Sequence, residues 1–294
     1  MLTACAGLPA QKAMSSSAKE QVTSTDVVMS VRQNEIYMYV PPSNAGAVAG
    51  GGFGLVGALV GAVIDASVNN ARTTAAEKAM KPLRASLVGF EFDTIARDDL
   101  KASLTPVAWL HSGDIRVNKD FGPESYENAY KTATGSTVLL TGSDYHLSND
   151  GDVLYVTLSA YIFPKNGAVK EQKAAAGNRS KPKPNTAPDK SIYRDVLSFQ
   201  TVVAGAGKDR DKNVALWAAD NGAAARSALT MASAKLSKLL AADLDRPEKD
   251  VAGTGKKVHV EGVEGEVMST DSDGSLVRLK GGTLKYITSS VVLK

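Results

Sequence analysis

The chain has 294 residues, enough for one large domain or two smaller ones with a sizeable core. A formal charge of +3 and 6% aromatic residues argue against a nucleic-acid-binding surface. The single cysteine excludes an intrachain disulfide and a cysteine metal cluster, and the three histidines are scattered.

Close to the start stands Leu2-Thr3-Ala4-Cys5. It resembles the lipobox of bacterial lipoproteins, in which a signal peptidase cuts before the cysteine and the cysteine carries the lipid. The resemblance implies that Cys5 is a lipid-attachment site and that a membrane is one partner. Only Met1 precedes the motif, with no basic or apolar signal region. That points to a start lying further upstream or to a trimmed sequence. Residue 6 is alanine rather than the aspartate of an inner-membrane retention signal, which favours the outer membrane, facing the periplasm. Residues 6–25 are rich in Ala, Ser, Gln and Lys. With so little apolar surface they are expected to form a flexible tether, so that residues 1–25 carry the anchor and not the fold.

Val27–Val31 and Glu35–Val40 read as two short strands about Gln33-Asn34, the second stopped by Pro41-Pro42. Next, Ala45–Ile64 holds no charge, and Ala47, Gly50, Gly54, Gly57 and Gly61 recur at intervals of 3, 4, 3 and 4. On a helix this spacing makes one stripe of tiny residues. Each glycine costs about 1 kcal/mol relative to alanine in a helix. Close approach of another backbone would justify them. The segment resembles the glycine zippers of bacterial envelope proteins, and its length also suits a bilayer. Pairing with another helix or copy, insertion, and burial within the chain all stay open. The helix is expected to run over residues 45–88, turning amphipathic at Ala76, Met80, Leu83 and Leu87, with a kink at Pro82 and a stop at Gly89.

Asp93 or Thr94 can cap a second helix ending near Leu104, and Pro123 suits the first turn of a third, Glu124–Ala133. Thr137–Tyr145 and Val153–Phe163 are β-rich runs around an Asp150-Gly151 turn, and Tyr193–Val203 is a third strand. Residues 164–190 form a basic loop with seven basic and two acidic side chains. Lys165, Lys170, Lys173, Arg179, Lys181 and Lys183 are its candidates for contact with anionic lipid, lipopolysaccharide or peptidoglycan; the plainer reading is a solvated insertion. Trp217 precedes a long helix, Asp220–Leu244, capped by Asp220 or Asn221, with Ala225, Leu229, Ala232, Leu236, Leu240 and Leu244 inward.

These elements make an α+β fold, a mixed or antiparallel sheet covered by helices, over residues 26–248. It is loosely similar to the periplasmic α/β domains of envelope lipoproteins. After a linker at 248–255, residues 256–294 carry four short strands with tight turns, expected as a small all-β meander or barrel docked on the main domain.

No catalytic constellation emerges. Gly205-Ala206-Gly207-Lys208 lacks the spacing of a phosphate loop, and Asp209 stands where Ser or Thr is needed. His111 with Asp114, and Asp144 with His146, give two metal ligands each, which is too few. Asp150, Asp152, Asp271 and Asp273 suit turns better than calcium loops. Asp98 and Asp99 are adjacent on a helix and do not converge. No metal, cofactor or nucleic acid is expected, and the chain is read as non-enzymatic. The expectation is an envelope lipoprotein that assembles with its own copy or another envelope protein, or docks on the membrane, through the glycine stripe. The competing reading is a soluble periplasmic ligand-binding protein or enzyme whose glycine-rich helix is only buried packing.

Overall fold

The computed structural model describes residues 11–31, 33–41, 69–119, 124–165, 184–246 and 253–291, with 69–72 given as backbone only. The helices are α1 (Ser16–Lys19), α2 (Asn69–Ser86), α3 (Phe92–Leu104), α4 (Ser125–Thr132) and α5 (Arg210–Asp245). The strands are β1 (Thr25–Val31), β2 (Tyr37–Met38), β3 (Ser112–Asn118), β4 (Thr137–Leu147), β5 (Val153–Pro164) and β6 (Tyr193–Val202), followed by β7 (Lys257–Val260), β8 (Val263–Thr270), β9 (Gly274–Leu279) and β10 (Leu284–Thr288).

The fold is α+β. One mixed sheet of ten strands runs β3-β1-β4-β5-β6-β10-β9-β8-β7, and β2 pairs with the end of β4. The β4–β5 hairpin is its spine, joined through Ser148–Asp152. Gly151 takes the left-handed conformation (φ +68°) that its turn demands, and an added Cβ there would lie 2.9 Å from Val214. Every residue of β4 is buried, because both faces of the sheet are covered there. Helices α2, α3 and α5 pack on one face around Met80, Leu83, Leu100, Leu229, Leu236 and Leu240. Helix α4 covers Val28, Val138, Leu140 and Phe163 on the other.

Strands β3, β1 and β4 are parallel neighbours, although the chain visits them in the order β1, β3, β4. The connection from β1 to β3 holds α2 and α3, and the connection from β3 to β4 holds α4 on the opposite face. This makes β1 a topological switch point. The C-terminal residues form an open antiparallel meander with its own apolar cluster, Val258, Val260, Val267, Val277, Leu279 and Ile287. Its strand β10 pairs in parallel with β6, Leu284 to Leu197 through Ile287 to Gln200, so the meander continues the main sheet.

Three expectations need correction. First, residues 11–24 are no tether. Met14, Ala18 and Val22 are buried in the main core, and Lys12 exchanges backbone hydrogen bonds with Arg194 at 2.9 and 3.0 Å. Burying three apolar side chains at helical spacing outweighs the polar composition around them. Second, a shorter helix precedes the expected one: residues 210–218 are helical, capped by Asp209, which accepts from the backbone of Asp211 and Lys212. The expected helix follows as residues 223–245; Asp220 and Asn221 do not cap it but, with Gly222, take left-handed conformations in the break between the two. Third, α3 is preceded by Glu91 at its cap position, with no side-chain cap bond from Asp93 or Thr94 to a later turn. The apolar segment 45–64 lies outside the described residues. Strand β1 precedes that segment and pairs with β4, which follows it. Arg84 on α2 donates to the Ile36 carbonyl at 2.9 Å. No described helix is long and apolar enough to cross a membrane.

Candidate functional site

Cys5, the stripe Ala47, Gly50, Gly54, Gly57 and Gly61, and Lys170, Lys173, Arg179, Lys181 and Lys183 lie outside the described residues. Lys165 is described, and it turns toward α4. Its ammonium donates to the Tyr130 carbonyl at 2.7 Å and lies 4.6 Å from the centre of the Tyr130 ring. A cation on the last carbonyls of a helix is a capping arrangement, so Lys165 is fastened to the fold.

The sheet builds a cleft of about 220 Å³ at the carboxyl ends of β1 and β3. Strand β1 stops at Val31 while β4 runs on past Tyr145, so the ladder has a gap before β2 begins. The Gln33 side chain bridges that gap. Its Oε1 accepts from Tyr145 N at 3.0 Å and its Nε2 donates to Tyr145 O at 2.6 Å, as a neighbouring strand would. The wall opposite is the start of α3 with the turn before it, Gly89 to Asp93.

Tyr145 is 7% exposed and lines the cleft, and its ring meets Phe92 edge-on at 4.8 Å. Its hydroxyl makes no hydrogen bond to any of the described residues. Burial raises its pKa to about 12, helped by the negative charges of Asp93 and Glu35, so it remains a protonated donor at neutral pH. Lys119 pairs with Asp93 and holds that carboxyl below the usual range. Thr94 N donates to Asp93 Oδ1 at 3.1 Å, and the Thr94 hydroxyl donates to Glu91 Oε2 at 3.1 Å.

The face of the sheet away from α2, α3 and α5 carries a second polar group of residues. The His146 ring stacks between Tyr37 at 5.3 Å and Tyr155 at 5.2 Å. Its Nδ1 lies 3.7 Å from Asp144 Oδ1, too far for a hydrogen bond, and neither atom has another partner among the described residues. The Tyr155 hydroxyl donates to Glu261, and the buried Lys285 donates to Glu261 Oε2 at 2.8 Å. Burial lowers the Lys285 pKa, and Glu261 works against that. Among the described residues no three His, Cys, Asp or Glu converge as a metal would need.

No family model matches the sequence, and no curated relative does. Solved structures similar to it include two of PelC. A PelC dodecamer from Paraburkholderia phytofirmans matches at 13% identity, covering 78% of this chain and 94% of that one, with a TM-score of 0.26. A dodecamer of a PelC point variant from the same organism matches at 12% identity, covering 79% and 95%, with a TM-score of 0.24. At such scores the likeness supports no statement about this chain.

The cleft residues Gln33, Glu91, Asp93, Lys119 and Tyr145 carry no one-dimensional signal, because four separate segments supply them.

Proposed function

We propose that this chain is a non-enzymatic lipoprotein of the bacterial cell envelope, held by a lipid on Cys5 at the outer membrane and facing the periplasm. It docks on its own copy, another envelope protein or the membrane through the glycine segment. The observation that carries the reading is Leu2-Thr3-Ala4-Cys5 standing six residues before Gln11, where the chain joins the folded body. Six residues reach at most about 20 Å. A lipid there would hold the body against the bilayer rather than on a long leash. The apolar segment 45–64, with its small residues at regular spacing, suits a docking element.

Lipid labelling tests the anchor. With a signal sequence fused ahead of Leu2, a metabolic lipid precursor should mark the protein, and Cys5→Ser should abolish the mark. Label that persists in the variant would overturn the anchor. Gly57→Leu with Gly61→Leu should shrink the cross-linked assembly; unchanged assembly and membrane binding would remove the docking role.

A further inference from the structure

We infer that His146 is a proton-operated fastening for β2. Taking up a proton, it closes on Asp144 and tightens its stack with Tyr37; losing the proton, it loosens the strand. The inference rests on the folded body alone and needs neither the lipid anchor nor the glycine segment.

The first ground is a pair of buried polar atoms. His146 is 4% exposed and Asp144 5%, and they stand two residues apart on one face of β4. His146 Nδ1 and Asp144 Oδ1 lie 3.7 Å apart, and each lacks a hydrogen bond among the described residues. Buried groups are rarely left so. A movement of roughly 1 Å would bring the two atoms to the length of a charge-assisted bond. A protonated imidazole carries a donor on each nitrogen. A proton therefore gives the pair a donor that charge draws to the carboxylate.

The second ground is the way β2 is held. It is two residues long and pairs with the end of β4, Tyr37 with His146 and Met38 with Leu147. Tyr39 N adds one bond to the Leu147 carbonyl at 2.9 Å. On this face of the sheet its hold is the Tyr37 ring, stacked on His146 with centres 5.3 Å apart. Tyr155 covers the other side of the imidazole at 5.2 Å. Both rings lie within the distance at which an aromatic face attracts a cation. Protonation turns two neutral stacks into cation–π contacts, and one of them ties β2 to β4.

The groups that face His146 set the sign. Strand β4 presents Asp144. Strand β2 presents Tyr37 and Tyr39, the latter with its ring centre 6.0 Å away, and β5 presents Tyr155. Burial, then the charge of Asp144, raises the Tyr37 phenol, and burial, then Glu261, raises that of Tyr155, so both stay neutral. Behind Tyr155, Lys285 is matched by Glu261 at 2.8 Å. An imidazolium here meets the Asp144 carboxylate and two ring faces, while the nearby cation is already paired. Histidine is the side chain that ordinarily titrates between about pH 5 and 8. The fastening is present on the acid side and is lost as pH rises through that titration.

The experiment follows the full chain by NMR from about pH 5 to about pH 8. It reads the His146 ring signals, identified by their loss in His146→Gln, and the exchange protection of the Tyr39 amide, corrected for the intrinsic rate at each pH. Protection reports the opening of β2. It should be severalfold higher at the acid end and should change along the His146 titration. Asp144→Asn should move the His146 midpoint to lower pH and shrink the change in protection. Tyr37→Leu should leave His146 titrating and make the protection independent of pH. A His146 ring that does not titrate over this range, or protection that does not follow it, would overturn the proposal in the natural chain alone. A midpoint unmoved in Asp144→Asn would overturn it as well.

Discussion

Asp195 on β6 and Asp243 near the end of α5 are both buried in the interior of the protein, and the charge of Asp243 disfavours ionisation of Asp195. Like charges close together and out of water favour the protonated form of one of the two. Gln11 donates to Asp195 at 2.6 Å, Tyr193 donates to Asp243 at 2.7 Å, and Arg246 lies 3.0 Å from the other Asp243 oxygen. Burial, then the charge of Asp243, pushes the Asp195 pKa well above the ordinary carboxylate range.

The sign of the pH dependence follows. Between the ordinary carboxylate value of about 4 and the raised native value, the folded state holds a proton that the unfolded chain has released. This pair therefore adds stability at low pH and loses it as pH rises through that window. The melting temperature should fall as pH rises from about 5 to about 8. Asp195→Asn, which keeps the shape of the side chain without the ionisation, should flatten that fall. An equal slope in the variant would show that another group is responsible.

The docked N-terminal segment gives a second test. Met14→Ala should lower stability in denaturant titration by about 2–3 kcal/mol if Met14 sits in the core, where it is 2% exposed. A tether in solvent would leave the midpoint unmoved.

Gly222 and Gly89 separate two effects. Both have φ near +75°, but an added Cβ would lie 2.7 Å from Ser86 Oγ at Gly222 and meets nothing within 4 Å at Gly89. Gly89→Ala should cost only the backbone strain, about 1–2 kcal/mol. Gly222→Ala should cost about 1–3 kcal/mol more, from forcing α5 away from the end of α2. Equal losses in the two variants would mean that Ser86 yields freely.

Asn213 is a third structural test. It is buried; its amide donates to the carbonyls of Asp150 at 2.8 Å and Gly207 at 2.9 Å, and its oxygen accepts from Gly207 N at 2.8 Å. Asn213→Ala strands all three groups and should cost about 2–3 kcal/mol, read from the shift of the unfolding midpoint.

The sequence shows these features unevenly. The β4–β5 hairpin is legible because Asp150-Gly151 and the β-rich runs beside it are local signals. The helix α3 and the inner face of α5, Leu229 to Leu244, are legible from their spacing. Strand β3 is not, since as an edge strand it buries only Ile115 and its alternation is faint. The docked segment leaves a trace that composition hides: Met14, Ala18 and Val22 stand four apart. Asp220 and Asn221 look like caps, yet they tolerate the left-handed conformation equally well, and packing of Gly222 on Ser86 selects that use. The cleft cannot be read in advance, because Val31, Phe92, Val117 and Tyr145 meet only once the sheet order is known.

The parallel seam between β6 and β10 has a consequence for how the protein is made. Strand β10 separates β6 from the rest of the meander, so the middle of the sheet is joined by the strand translated last among the ten. A nascent chain released as far as α5 has already formed β4, β5 and β6, yet the backbone groups of Leu197 to Gln200 facing β10 still lack their partner strand. An open edge of this kind invites pairing with other chains. The interval ends only when Leu284 to Thr288 leave the ribosome and travel back across the meander, a distant contact that forms slowly. During synthesis, that seam is where the chain depends most on protection from its neighbours.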